Sequence, residues 1–90
     1  MLSEPTKGHI YFAEYDVMKS VSASLGVAYS NRYDAAATEA ERQWWESRRQ
    51  ALRTYVAAAV DTDREDLLTR CRMMRAEFDR IGGLGSPGGE

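Results

Sequence analysis

The sequence predicts an all-α fold, a small three-helix bundle built on a C-terminal antiparallel helical hairpin. Three observations predict it. Leu67, Cys71, Met74, Phe78 and Ile81 repeat at spacings of 4, 3, 4 and 3, an apolar seam along one side of a helix. Trp45, Leu52, Val56 and Ala59 share one side of a preceding segment, flanked by Trp44, Ala51 and Tyr55, while Arg42, Glu46, Arg49 and Arg53 line the other. Ninety residues, 43% hydrophobic and 29% charged, make one domain near the lower limit of what a single core can stabilise.

The C-terminal helix is expected over 62–81. Thr62 followed by Glu65 has the form of a capping box, and Asp61, Asp63, Glu65 and Asp66 put negative charge where the helix dipole favours it. Asp66 with Arg70, Arg75 with Asp79 and Glu77 with Arg80 stand at helical pair spacing, each contributing about 0.2 to 0.5 kcal/mol. Gly82 and Gly83 supply the stop. The second helix is expected over 38–60, with Thr38 and Glu41 as its capping box. Only Asp61 and Thr62 then separate the two helices, which predicts the hairpin.

The N-terminal helix is expected over 9–29, where Tyr11, Met18, Val21, Leu25 and Ala28 fall on one face with Ile10, Val17 and Tyr29 beside them. Valines, serines and Gly26 weaken its propensity, and a break between Ser22 and Gly26 is where it would yield. A seam of five side chains does not offset the entropy of ordering its own helix, so it must be covered. The two other helices are the available covers, in one chain or in a dimer whose hairpins complete a four-helix core. Outside the domain at 9–81, residues 1–8 read as an arm. The run GGLGSPGGE at 82–90, with five of the seven glycines, reads as a flexible tail.

Net charge is −2, so steering toward nucleic acid or an anionic membrane is not expected. Ten of the twelve cations are arginines between Arg32 and Arg80, where ten carboxylates accompany them, which makes that half locally neutral and dense in ion pairs. A lone cysteine forms no internal disulfide and no secretory signal is apparent, so the expected compartment is cytoplasmic. No apolar run approaches the roughly 20 residues that span a bilayer.

Chemistry-bearing constellations are sparse. His9 has no second histidine or cysteine at metal-ligand spacing. A calcium loop starting at Asp61 would need Gly at 66 and Glu at 72, where Asp66 and Arg72 stand. Cys71, although flanked by Arg70 and Arg72, lies in the seam and reads as a small core hydrophobe. Ser20, Ser22 and Ser24 have no base in local reach. The expectation is a non-catalytic protein without cofactor, metal or small-molecule ligand, acting through a protein partner or self-association.

The surface expected to carry that role surrounds Trp44 and Trp45. Neighbouring residues on a helix diverge by about 100°, so one ring can serve the core and the other an interface. Glu41 and Arg48 flank the pair by about one turn on each side. Trp, Tyr and Arg are also the types enriched at interaction hot spots. The alternative is that both rings close the core with Arg48 lying over them.

One further stretch, VSASLGVAYSNRY from Val21 to Tyr33, resembles the turn of helix-turn-helix DNA readers, with Leu25, then Gly26 for the turn, then Val27 entering the next helix. Arg32 stands where that pattern carries an apolar residue. The resemblance implies a DNA-binding accessory factor in which Tyr29, Asn31 and Arg32 face the groove.

Overall fold

The computed structural model describes residues 8–85. It consists of three helices, α1 over Phe12–Ala35, α2 over Glu39–Ala57 and α3 over Arg64–Arg80, with no strand among the described residues. The all-α bundle predicted from the sequence is the fold. Residues 1–7 of the expected arm at 1–8 and residues 86–90 of the expected tail lie outside the described residues.

The centre of the bundle is α1. It packs against both α2 and α3, whereas α2 and α3 meet each other chiefly through long side chains. Fully buried positions divide accordingly. Met18, Leu25, Ala28 and Tyr29 come from α1 and Leu67, Cys71 and Met74 from α3, but none comes from α2. Trp45, Leu52, Tyr55, Val56 and Ala59 of α2 reach the core only as half-buried residues. The predicted hairpin is therefore a pair of antiparallel helices splayed over a third, with α1 filling the angle between them.

Helix α1 extends to Ala35, six residues past the expected end at 29, and it runs without interruption through Ser22 and Gly26. Glycine inside a helix costs about 1 kcal/mol relative to alanine. Burial on two sides outweighs that penalty, since Met18, Leu25 and Tyr29 are held between α2 and α3. The turn on which the helix-turn-helix resemblance rests is thus not formed, because Leu25, Gly26 and Val27 are three consecutive residues of one helix.

Boundaries elsewhere moved by a few residues. Thr38 caps α2 as expected, its hydroxyl accepting from Glu41 N at 3.1 Å, while the Glu41 carboxylate reaches past Thr38 to the amide of Ala37 at 2.8 Å. Helix α3 is capped by Asp63 and not by Thr62. The Asp63 carboxylate accepts from Asp66 N at 3.1 Å, and an acidic side chain adds a favourable charge to the dipole. Between the helices the link spans 58–63, longer than the two residues expected. Its Asp61 carbonyl accepts from Tyr11 N at 3.0 Å, which ties the start of α1 to the turn between α2 and α3.

At the same end, Asp66 accepts from both Arg70 Nε at 2.8 Å and Val60 N at 2.9 Å. Arg70 in turn donates to the Tyr55 carbonyl at 2.9 Å and lies over the Tyr55 ring. A guanidinium near the last turn of α2 satisfies a carbonyl that the helix leaves open. Glu77 with Arg80 also pairs as expected, whereas Arg75 and Asp79 form no ion pair among the described residues.

The predicted flexible tail begins as an ordered cap. Gly83 N donates to the Phe78 carbonyl at 2.8 Å and Gly82 N to the Asp79 carbonyl at 3.0 Å, the paired bonds of a Schellman motif with Gly82 in the left-handed region. The next residues then wrap around Arg32, whose guanidinium donates to the carbonyls of Ile81, Gly83 and Leu84. Asn31 donates to the carbonyl of Leu84 at 3.0 Å. Residues 82–85 are held to the C-terminal end of α1, and Asn31 and Arg32 are occupied in holding them.

Candidate functional site

Because α2 and α3 are splayed, a groove of about 440 Å³ opens between them. Leu25 and Tyr29 of α1 form its floor, Ala51 and Tyr55 of α2 one wall, and Met73 and Ala76 of α3 the other. The walls are low where the two alanines face the opening. Trp44 and Met73 are 56% and 59% exposed, large apolar surface left uncovered on the two helices that border the groove.

At the Trp44 end the groove is closed by a polar network. Tyr29, 2% exposed, donates from its hydroxyl to Glu77 Oε2 at 2.8 Å. Arg48 crosses from α2 to the same oxygen at 3.2 Å, and Arg80 Nη2 holds the other carboxylate oxygen at 2.7 Å. Glu77 thus joins all three helices, receiving α1 through Tyr29 and α2 through Arg48. The Arg48 guanidinium also stands 5.7 Å from the Trp44 ring centre and 5.9 Å from that of Tyr29, within cation–π range of both.

The adjacent tryptophans therefore diverge. Trp45 is half-buried against the core, with Tyr29 at a ring separation of 5.9 Å and the Arg32 guanidinium over its ring. Trp44 faces outward. The alternative in which both rings close the core does not hold, because a 100° step on a helix whose partners lie on one side leaves the second ring in solvent. Glu41 is exposed and engaged in the α2 cap, so the four residues singled out around the pair are not one cluster. Trp44 and Arg48 are in contact, Trp45 lies behind them and Glu41 stands apart. Of the residues implied as DNA-facing, Tyr29 is in the core and Asn31 and Arg32 are bound to residues 81–85.

In the sequence Glu77 was legible only in its pair with Arg80, and Met73 was not singled out. Glu77 adjoins Phe78 at the edge of the α3 seam, and a carboxylate at a seam edge is the signal that could have marked it.

The network is electrostatically biased. Burial acts to raise the Glu77 carboxyl, but the hydrogen bonds from Tyr29 and Arg80 and the charges of Arg80 and Arg48 outweigh it and hold it below its ordinary value. Burial, then the hydrogen bond to Glu77, raises the Tyr29 phenol. A carboxyl whose pKa is lower folded than unfolded contributes stability that is whole above its unfolded value of about 4.3 and is lost as pH falls through the folded one. The melting temperature is thus expected to fall on acidification below about pH 5, and Glu77→Gln is expected to flatten that fall. Glu14 and Asp66, depressed by hydrogen bonds from Arg64 and Arg70, leave a residual slope. Identical pH profiles for the variant and the parent chain would remove Glu77 from this role.

Among the described residues no three His, Cys, Asp or Glu side chains converge as a metal site, and no helix is long and apolar enough to cross a membrane. Cys71 is buried in the seam. Compared with family models, curated proteins and solved structures, the chain finds no match in any of the three.

Proposed function

We propose that the protein is a non-catalytic helical interaction module that associates through the groove between α2 and α3, with Trp44 and Arg48 at its edge. The observation that carries this reading is that α2, amphipathic over its 19 residues, buries none of them fully while Trp44 stays 56% exposed. Large exposed apolar side chains around a polar-rimmed groove are a signature of association surfaces. Trp44 is also preorganised by Arg48, which is itself fixed by Glu77, and this lowers the entropy lost when the surface is covered.

In its most concrete form the association is between two copies. Each face carries an apolar centre in Ala51, Tyr55, Met73 and Ala76 and charges of both signs in Arg48, Glu77 and Arg80, as a two-fold contact requires. Helices α2 and α3 of two chains then form a four-helix core with α1 outside it. Light scattering is expected to give twice the chain mass at high concentration. Trp44→Ser, at a position that adds little to the core, is expected to restore a single-chain mass and to leave unchanged the melting temperature measured at dilutions where the parent chain is itself a single chain. A parent chain that stays monomeric at every concentration would sink the pairing of two copies.

A further inference from the structure

A second groove lies between α1 and α2, and its lining shares only Leu52 with the first. It is the larger of the two, about 960 Å³. From Tyr15 to Ser30 it follows α1 for about 22 Å at 1.5 Å per residue, the length of about four helical turns. Its floor is apolar and low, made by Ala23 and Gly26 of α1 with Leu52 and Val56 of α2.

Gly26 is not demanded by the packing of α1 on α2. A Cβ there would meet Leu52 Cδ2 at 3.8 Å, an ordinary contact, and the backbone is helical. Alanine would fit and would strengthen the helix. The glycine therefore serves no steric need inside the chain, and what it leaves is open space along the groove floor.

The rims carry the second observation. Lys19 borders the groove from α1 and Arg49 and Arg53 from α2, against one carboxylate, Asp61, at the far end. Arg49 is paired with Glu46 at 2.8 Å, but Lys19 and Arg53 have no carboxylate within ion-pair distance among the described residues. Among the described residues Arg53, Arg72 and Arg75 pair with neither an acid nor a carbonyl, and of these Arg53 borders the groove, so that with Lys19 it places two unmatched cations on opposite rims of one apolar floor. A complementary ligand has an apolar stripe with a carboxylate on each flank. A groove that follows a helix for about four turns over a low floor selects a second helix as the element that carries them.

We propose that the α1/α2 groove is the docking site for an acidic amphipathic helix of a partner protein, with Lys19 and Arg53 receiving carboxylates on its two flanks and Gly26 admitting its closest side chain. This site is separate from the Trp44 face and remains open when that face is covered.

The test uses the full chain and two labelled, end-capped synthetic peptides. Each has leucines at i, i+3, i+4 and i+7, flanked by glutamates in one and by lysines in the other. Fluorescence anisotropy is expected to show the glutamate peptide binding at least about ten-fold tighter at low salt, with the margin shrinking as salt screens the pairs. The double variant Lys19→Glu, Arg53→Glu alters exposed side chains only and is expected to reverse the preference at an unchanged melting temperature. Gly26→Met fills the floor and is expected to weaken the glutamate peptide while the helix is kept. Amide shifts on binding belong at Ala23, Gly26 and Val27, and Trp44→Ser leaves them unaltered, which separates this site from the association surface. Equal affinity for the two peptides, no binding of the glutamate peptide, or shifts centred on Trp44 and Met73 each overturn the proposal. Self-association of the parent chain that is abolished by the charge reversal would overturn it too, by making a second copy the occupant.

Discussion

Leu67→Asp is expected to give a chain with no cooperative thermal transition and a far-UV signal well below that of a protein with three helices. Leu67 is 0% exposed and belongs to the same core cluster as Met18, Leu25, Tyr29 and Met74. Removing a buried leucine costs about 2 to 5 kcal/mol before any charge is introduced. A carboxylate placed there has no partner, and its burial adds several kcal/mol more unless it is protonated. A domain of this length is stabilised by only about 5 to 13 kcal/mol in total. The sum takes up most or all of that margin. Arg53→Ala is the control, because Arg53 is exposed, and its effect should stay within about 0.5 kcal/mol. Phe78→Asp should fall between the two, since Phe78 is only half-buried. Melting curves for Leu67→Asp and Arg53→Ala that coincide would contradict the core described here.

The parts of this fold legible in the sequence are those in which side-chain pattern and backbone agree. The α3 seam is one, for Leu67, Cys71 and Met74 are buried at the spacings that mark them. The Thr38 cap is another, with its hydroxyl on Glu41 N. The 100° step between Trp44 and Trp45 was legible too, but which ring faces solvent is decided only by where α1 packs on α2. Three features were hidden for a physical reason in each case. The length of α1 depended on burial against two neighbours, which offsets the weak local propensity around Gly26 and is visible only once those neighbours are placed. The centrality of α1 was masked because the regular α3 seam and the wide arc of α2 are stronger patterns than the irregular one of α1. The role of Glu77 in joining the three helices was hidden because Tyr29 and Arg48 lie 48 and 29 residues away in sequence, whereas its pair with Arg80 was legible.

The Arg32 clamp is the feature least accessible to pattern reading, since its acceptors are backbone carbonyls, and its loss is the second large effect expected. Helices α1 and α3 run parallel, as the ties Glu14 to Arg64 at one end and Tyr29 to Glu77 at the other require. Their negative dipole ends therefore lie side by side and repel. Arg32 sits between them. Its Nη1 donates to the Ala28 carbonyl of α1 at 3.1 Å and to Gly83 and Leu84 at 2.9 and 3.1 Å, and its Nη2 donates to Ile81 at 2.6 Å. One guanidinium neutralises both termini and holds the turn that ends α3, while its face covers Trp45. Hydrogen bonds to a charged donor are worth about 1.5 to 3 kcal/mol, and water replaces part of that at partly exposed carbonyls. Arg32→Ala is therefore expected to cost about 2 to 3 kcal/mol in all. At 4 to 8 °C per kcal/mol for a domain of this size, the melting temperature should drop by roughly 10 to 20 °C. Arg32→Lys should recover less than half of the loss, because an ammonium cannot reach carbonyls on both helices with a planar fork. Hydrogen exchange supplies the local readout. The amides of Gly82 and Gly83, bonded to Asp79 and Phe78, should lose protection in Arg32→Ala beyond what the global loss of stability explains. A melting temperature within about 3 °C of the parent chain, which is less than 1 kcal/mol, would show that the cap stands without the clamp.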